Sequence, residues 1–345
     1  MHALPDSRRS GTPRLNTLFL FGVALLLLLV PAADPVLAQG GLEQGIKAFE
    51  NGQFEEAENL LRSMVEADED NHAALYYLGR TCLALQQKKE AVELLEKAVE
   101  LDPGEVTYHK WLARAYNSYA MQLGQIRALI MGLTKKIIRE FETIIELDPG
   151  AASERMNLVM IYYFLPGLFG GDKDRTFELI DEQKRIDPRE GAYTMAELQI
   201  EIGNDDEALQ ECQSYLRTSP GDIRMRNQLG RVYHAMERWD DAFGIFEEVI
   251  KDAPEDLYAY YLIGRSAGSS GLNLERGTKC LEFFIGHTGV DEEGLPSHAD
   301  AHWRVGLIRE KQGETGAART EYEKALELDP DHPYAKSALK RVCRR

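Results

Sequence analysis

The sequence predicts an all-α protein, an α-solenoid of about eight helical hairpins closed by a C-terminal capping helix, and three observations carry that reading. The first is a fixed period: Pro220 to Pro254, Gly230 to Gly264, Ala57 to Ala91 and Ala208 to Ala242 are each 34 residues apart, and self-similarity at that length marks stacked supersecondary units. The second is punctuation: Leu-Asp-Pro recurs at 101–103, 147–149 and 328–330, each time after an apolar helical pattern. Proline has no N–H to donate and disfavours helix in the residue before it. The third is a recurrent pairing of small residues. Gly45, Gly79, Ala113, Gly230, Gly264 and Gly306 sit midway along the first helix of a hairpin, and Ala57, Ala91, Ala208, Ala242, Gly277 and Ala318 sit in the second, so the two backbones can approach closely.

Larger residues complete each interface. Tyr116, Tyr162 and Tyr233 lie on the first helices, while Leu61, Leu95, Phe246 and Tyr322 lie four positions after the second small residue, on the same helical face as it. Gly52, Gly203, Gly271 and Gly313 mark the turns between the helices, where conformations other residues resist are wanted. Second-helix positions 57, 91, 137, 176, 208, 242, 277 and 318 define the hairpins, with Ile137 and Thr176 standing where alanine is usual. The 46 residues from 91 to 137 predict a third hairpin with both helices lengthened through Tyr119, Leu123, Ile126, Ile130 and Leu133. The 39 from 137 to 176 place a glycine-rich interhelical loop at 166–172. Residues 333–345, with Tyr334, Ala338 and Val342, read as a capping helix over the last hairpin.

The chain is 345 residues long, 44% apolar and 28% charged, enough to bury a substantial core rather than remain disordered. Its formal charge of −17 repels phosphate backbones, which argues against nucleic acid as a partner. Residues 1–38 read as an address rather than as fold. Arg8, Arg9 and Arg14 precede an apolar run from Leu18 to Val30, and Ala38 stands behind Val36 in the small-residue spacing of a cleavage site, as in a cleaved signal peptide of the general secretory type. The run is too short for a comfortable membrane span. The expected location is therefore periplasmic or secreted, in a bacterium, with membrane contact only transient during export. No Lys/Arg run or basic amphipathic stretch of the kind that docks on anionic lipid follows the leader.

Through segments such as Gly79 to Pro103 and Gly230 to Pro254, the sequence resembles the tetratricopeptide repeat family in its bacterial exported form, over residues 42–332. The resemblance implies a solenoid of helical hairpins from residue 39 to 332 whose first helices line a concave binding groove. The loop at 166–172 is similar to one in periplasmic tetratricopeptide partners of TRAP-type solute transporters.

Catalytic constellations are missing from the pattern. The 166–172 loop lacks the Gly-Lys-Ser/Thr ending that cradles phosphate, and Asp172 is more simply the N-cap of the next helix. His298 and His302 have the i, i+4 spacing of a metal pair, but alanine stands at 299 where a zinc protease needs glutamate, and Ser297 with Asp300 reads as a capping box. No metal, cofactor or enzymatic activity is expected. Cys82, Cys212, Cys280 and Cys343 fall in hairpins separated by intervening helices, too far apart to bridge, so free thiols are expected.

The groove that the family resemblance implies maps onto Tyr76, Arg80, Lys110, Arg114, Arg231, His234, Tyr258, Tyr261, Arg265 and Trp303. The recurrent Gly-Arg also suits a solvated position beside the small residue, while Arg and aromatic side chains are what binding hot spots are made of. An inner wall rich in arginine within an acidic chain favours a partner segment carrying a carboxylate next to an apolar residue. Arg231 and Arg265 are expected to lie outside the hairpin core. The leading expectation is thus a non-catalytic scaffold that binds another protein or peptide; the alternative is a small-molecule-binding accessory subunit of a solute transporter.

Overall fold

A computed structural model describes residues 35–289 and 294–344, all of the regular structure α-helical apart from one 3-10 turn. The leader expected over 1–38 lies outside the described residues except for its last four, which begin the first helix. Two compact units divide after Pro103.

Unit 1 holds two hairpins, α1 (Pro35–Glu50) with α2 (Phe54–Ala67) and α3 (His72–Ala84) with α4 (Lys88–Leu101). Asn71 caps α3 by accepting from the Ala74 N–H at 3.0 Å, which satisfies one of the orphan donors of the first turn. Ala48, Ala57, Leu61, Leu78, Cys82 and Ala91 form its core.

Unit 2 begins with an irregular hairpin. The apolar spacing from Tyr119 to Leu133 predicts two lengthened helices, but only α5 (Val106–Leu123) is long at 18 residues. Gly124, at φ +81°, ends it, and Gly132, at φ +69°, precedes α7 (Leu133–Leu147), so the surplus forms a separate six-residue helix, α6 (Gln125–Ile130). Five regular pairs follow: α8 (Ala152–Phe164) with α9 (Lys173–Ile186), α10 (Pro188–Glu201) with α11 (Asp205–Leu216), α12 (Ile223–Ala235) with α13 (Trp239–Asp252), α14 (Leu257–Ser270) with α15 (Leu274–His287), and α16 (His298–Lys311) with α17 (Thr315–Leu328). A last helix, α18 (Pro333–Val342), packs on α17. Asp187, Asp222, Asp256 and Ser297 accept from backbone N–H groups at the starts of α10, α12, α14 and α16. Pro188 does not follow the end of its hairpin as Pro103, Pro149 and Pro330 do; it occupies the first turn of α10, where a missing N–H costs nothing.

The hairpin interface is tighter than a meeting of two small residues. A Cβ built on Gly230 would stand 2.2 Å from the Phe246 ring, one on Gly264 2.2 Å from Leu281, and one on Gly306 2.4 Å from Tyr322. Each first-helix glycine is therefore covered by the large residue four positions after the second small one. Phe246, Leu281 and Tyr322 are fully buried and have no room to withdraw. First helices also touch each other in sequence, α8 on α10, α10 on α12, α12 on α14 and α14 on α16, so unit 2 presents one row of first helices.

Cys82, Cys212, Cys280 and Cys343 are free. Burial pushes the Cys82 and Cys212 thiols up to about 12 and that of Cys280 up to about 11, which leaves them protonated and inert at neutral pH. Cys343 is exposed rather than buried with the others.

Two outcomes follow. Gly264→Ala should lower unfolding free energy by ~1–3 kcal/mol through overpacking, whereas Gly286→Ala, on the open face of α15, should raise it by ~0.5–1 kcal/mol; urea denaturation measures both. A thiol reagent should label Cys343 rapidly in the native state and the other three only on unfolding.

Candidate functional site

Five of the ten expected groove residues, Arg231, His234, Tyr258, Tyr261 and Arg265, are gathered in the row formed by α10, α12, α14 and α16. Arg231 extends from α12 toward α10, where its Nη1 and Nη2 donate to Glu197 Oε2 and Oε1 at 2.7 and 2.8 Å. It also donates to Gln228 Oε1 at 2.9 Å and to the Tyr193 hydroxyl at 3.3 Å. Both members of this pair are mostly buried. Burial works against the Arg231 charge, but Tyr258 and Glu197 outweigh it and hold the guanidinium above its ordinary value. Burial likewise opposes the Glu197 charge and is outweighed by Arg231, so that the carboxyl lies below its usual range. The expectation that Arg231 stands outside the core is therefore corrected: it is half of a mostly buried ion pair, and without it Glu197, to which Gln228 Nε2 also donates at 2.8 Å, would have no ion-pair partner.

A second pair closes the other end. Arg304 Nε on α16 donates to Asp300 Oδ2 at 2.8 Å and to the Tyr261 hydroxyl at 2.6 Å, and that hydroxyl in turn donates to Asp300. Tyr261 stacks on Tyr258 with centroids 6.2 Å apart.

Between the two pairs lies Arg265 of α14. It is half-buried and makes no hydrogen bond or ion pair among the described residues. Burial, then Arg304 and Arg231, lower its pKa; both neighbouring guanidiniums already have carboxylates, so the surplus positive charge of the cluster rests on Arg265. His234 belongs to the same row. Its Nδ1 lies 2.8 Å from Ser266 Oγ and its ring meets Trp239 edge-on at 5.1 Å. Burial, then Arg265, Arg304 and Arg231, push it down to about 3, so its imidazole is neutral at physiological pH. Beside this row a cavity of about 740 Å³ is lined by Tyr193, Asn227, Gln228 and Tyr258 among others. Asn227 donates to Asp256 at 2.8 Å while its buried Oδ1 has no partner.

The remaining expected residues lie elsewhere. Trp303 is covered: Tyr334 stacks on it at 5.0 Å and His332 lies at 5.6 Å. Lys110, paired with Glu154 at 3.3 Å, and Arg114, over the Trp111 ring at 5.0 Å, line a different cavity of about 1450 Å³ bounded by α5, α6, α7 and α8. Tyr76 and Arg80 belong to unit 1, where the Arg80 guanidinium lies 4.5 Å over Phe49 and donates to the Tyr76 hydroxyl at 3.1 Å. The sequence reading missed Glu197, Asp300 and Arg304 as members of the row. Glu197 carried a signal, since it stands 34 residues before Arg231 and so in the same repeat position.

The histidine pair and Asp172 of the glycine-rich loop each have local hydrogen-bond partners. His298 bonds Thr288 at 2.8 Å and His302 bonds Glu321 at 2.7 Å, and among the described residues no group of three or more His, Cys, Asp or Glu could hold a metal. Asp172 caps α9 by accepting from the Arg175 N–H at 3.0 Å. Among the described residues, no helix is long and apolar enough to cross a membrane.

Sequence models of the tetratricopeptide repeat match residues 48–115, 223–253 and 299–332. A curated relative, ER membrane protein complex subunit 2 of Xenopus tropicalis, is 30% identical over 90 residues, which is 25% of this chain and 30% of that protein; subunit 2-A of Xenopus laevis matches equally. This chain thus spans under a third of the length of those relatives. Among solved structures, a tetratricopeptide repeat protein from Parabacteroides merdae is 16% identical, with a TM-score of 0.55 over 89% of this chain and 98% of its own. An IFIT1 monomeric mutant with m7Gppp-AAAA is 15% identical, with a TM-score of 0.51 over 87% of this chain and 72% of its own. These likenesses show the fold. The matched curated relatives are eukaryotic, which corrects the expectation of a bacterial exported tetratricopeptide protein in the periplasm or outside the cell.

Because the folded pKa of His234 lies below the 6.5 of the free side chain, the unfolded chain binds its proton first as pH falls. Its contribution to stability is complete above pH 6.5 and declines as pH drops toward 3. NMR titration should show an imidazole that stays neutral between about pH 5 and 8, and His234→Gln should flatten the acid limb of the stability curve.

The chain therefore carries tetratricopeptide repeats over residues 48–115, 223–253 and 299–332, set in an all-α solenoid.

Proposed function

We propose that the chain is a non-catalytic protein-interaction scaffold and that the first-helix row of unit 2 holds a partner segment through a carboxylate delivered to Arg265. The observation that carries this reading is the imbalance of the row: three guanidiniums from consecutive first helices, two with a carboxylate of their own and one without. A half-buried cation with two like charges nearby gains most from an incoming anion, and a guanidinium grips a carboxylate with two parallel hydrogen bonds. The stacked Tyr258 and Tyr261 beside it offer rings to an apolar residue next to that carboxylate. The unpartnered Oδ1 of Asn227 supplies an acceptor for a backbone N–H of the same segment. Tyr193, Gln228 and Tyr258 are shared between the arginine row and the 740 Å³ cavity, so the polar groups are spread along several helices. That spread suits an extended segment better than the compact solute of an accessory transporter subunit.

The test is selection from a library of peptides ending in a free carboxylate, with amidated counterparts as controls, against the full chain. Peptides with a carboxylate beside an apolar or aromatic residue should be enriched, and Arg265→Gln should weaken them about tenfold, as befits one charge-assisted hydrogen-bonded contact of ~1.5 kcal/mol or more. The melting temperature should hold, since Arg265 pairs with nothing that would be stranded. Arg231→Ala, by contrast, should destabilise the fold by ~3 kcal/mol because mostly buried Glu197 loses its ion-pair partner and keeps only the Gln228 amide as a hydrogen-bond donor. Enrichment indifferent to the carboxylate, or unchanged by Arg265→Gln, contradicts the reading.

A further inference from the structure

The acidic residues of this chain are unevenly spread. From Val106 to Arg139 there is no Asp or Glu, while Lys110, Arg114, Arg127, Lys135, Lys136 and Arg139 fall within the same stretch, in a chain whose net charge is −17. That stretch is α5, α6 and the start of α7. Arg127, Lys135 and Arg139 are exposed and have no ion-pair partner among the described residues. The cations are too widely spaced to register as a Lys/Arg run, but they share one stretch of the chain that holds no acidic residue, on α5, α6 and the start of α7.

The helix at the centre of this patch is anchored by one face and bare on the other. Gln125, Ala128 and Leu129 line the cavity shared with α5, α7 and α8, and Ala128 is buried. Ile126 and Ile130, one turn apart, are 75% and 80% exposed and are not among the residues lining that cavity. Met121 and Met131 at the two ends of α6 are exposed as well. Gly124 and Gly132, both at positive φ, set α6 off from the helices on either side, so it is an inserted element and not part of the repeating hairpin interface.

We propose that α6 is a membrane-surface element that seats Ile126 and Ile130 in the interfacial region of an anionic lipid bilayer, with Arg127, Lys135 and Arg139 on the headgroups. Apolar side chains flanked by unpaired cations are the pattern of an interfacial amphipathic helix. The cations supply the attraction to anionic lipid and, in an acidic protein, fix which surface approaches it. A protein partner would need a shaped pocket for each isoleucine, whereas a bilayer receives them without one, and it rewards the exposed apolar area wherever the cations bring it to the surface. This inference does not rest on the carboxylate site of α10, α12, α14 and α16.

The experiment is co-sedimentation of the full chain with vesicles of equal parts phosphatidylserine and phosphatidylcholine, beside vesicles of phosphatidylcholine alone. The chain should sediment with the anionic vesicles, be released as salt is raised, and stay in solution with the neutral ones. The triple variant Arg127→Glu, Lys135→Glu, Arg139→Glu should lose binding by about fivefold or more per charge. Ile126→Ser with Ile130→Ser should lose it with the charges intact and the melting temperature unchanged, because neither side chain is buried. As a positive signal, Ile130→Trp should shift its emission to the blue when anionic vesicles are added. Absence of binding to anionic vesicles, equal binding to neutral ones, or binding that survives both sets of substitutions would overturn the proposal. So would binding of an acidic amphipathic peptide, sensitive to the same substitutions, by a chain that ignores vesicles.

Discussion

The seating of one large side chain on the bare backbone of one glycine, found in both hairpins of unit 1 and in the last three of unit 2, is the contact on which the helical pairing depends most. Phe246 on Gly230, Leu281 on Gly264 and Tyr322 on Gly306 leave no space for even a methyl group. The contact fixes how far apart the two helices of a hairpin lie and how they are rotated about their axes. Hairpins built to this pattern, stacked one after another, bring α8, α10, α12, α14 and α16 into one row in unit 2. Once that row exists, residues 34 positions apart become neighbours on adjacent helices. Glu197, Arg231 and Arg265 are such a series, and their charges interact because the period places them side by side, not because they are close in sequence.

The charges in that row are placed unequally, and the inequality gives the site its chemistry. Glu197 neutralises Arg231 and Asp300 neutralises Arg304, each in a mostly buried pair. Such pairs add little to stability over a well-packed apolar alternative, but removing one partner is costly. They therefore hold the row in a fixed arrangement and leave Arg265 with the surplus. Burial first, and then the same surplus, keep His234 neutral, since protonating it would put a further charge out of water and beside three guanidiniums. Mid-chain, the stretch around α6 gathers cations by omitting acids altogether. Among the described residues, the row and the α6 stretch thus gather positive charge by two different devices.

Features that repeat were legible in the sequence, and features that break the repeat were not. The 34-residue interval, the glycine turns and the capping residues Asp172 and Ser297 each obey a local rule, and the structure places them as that rule requires. The inserted helix was hidden because Leu123, Ile126, Ile130 and Leu133 continue an apolar spacing close to that of one long helix. Only Gly124 and Gly132, whose positive φ is invisible to periodicity, cut it out. Among the residues gathered in the row, Arg231, His234, Tyr258, Tyr261 and Arg265 stand at repeat positions that the family resemblance assigns to the groove. Arg304 was not, because it lies one position after Trp303 and away from the place in the repeat that Arg231 and Arg265 share. The covering of Trp303 by Tyr334 depends on how α18 folds back, a contact that occurs once and leaves no periodic trace.

The most direct test of the central claim is the structure of the chain with a captured partner segment bound. A partner carboxylate should stand within hydrogen-bond distance of the Arg265 guanidinium, with the Arg231 to Glu197 and Arg304 to Asp300 pairs intact and a partner side chain against Tyr258 or Tyr261. A partner seated instead in the cavity beside Lys110 and Arg114, leaving Arg265 untouched, would contradict it.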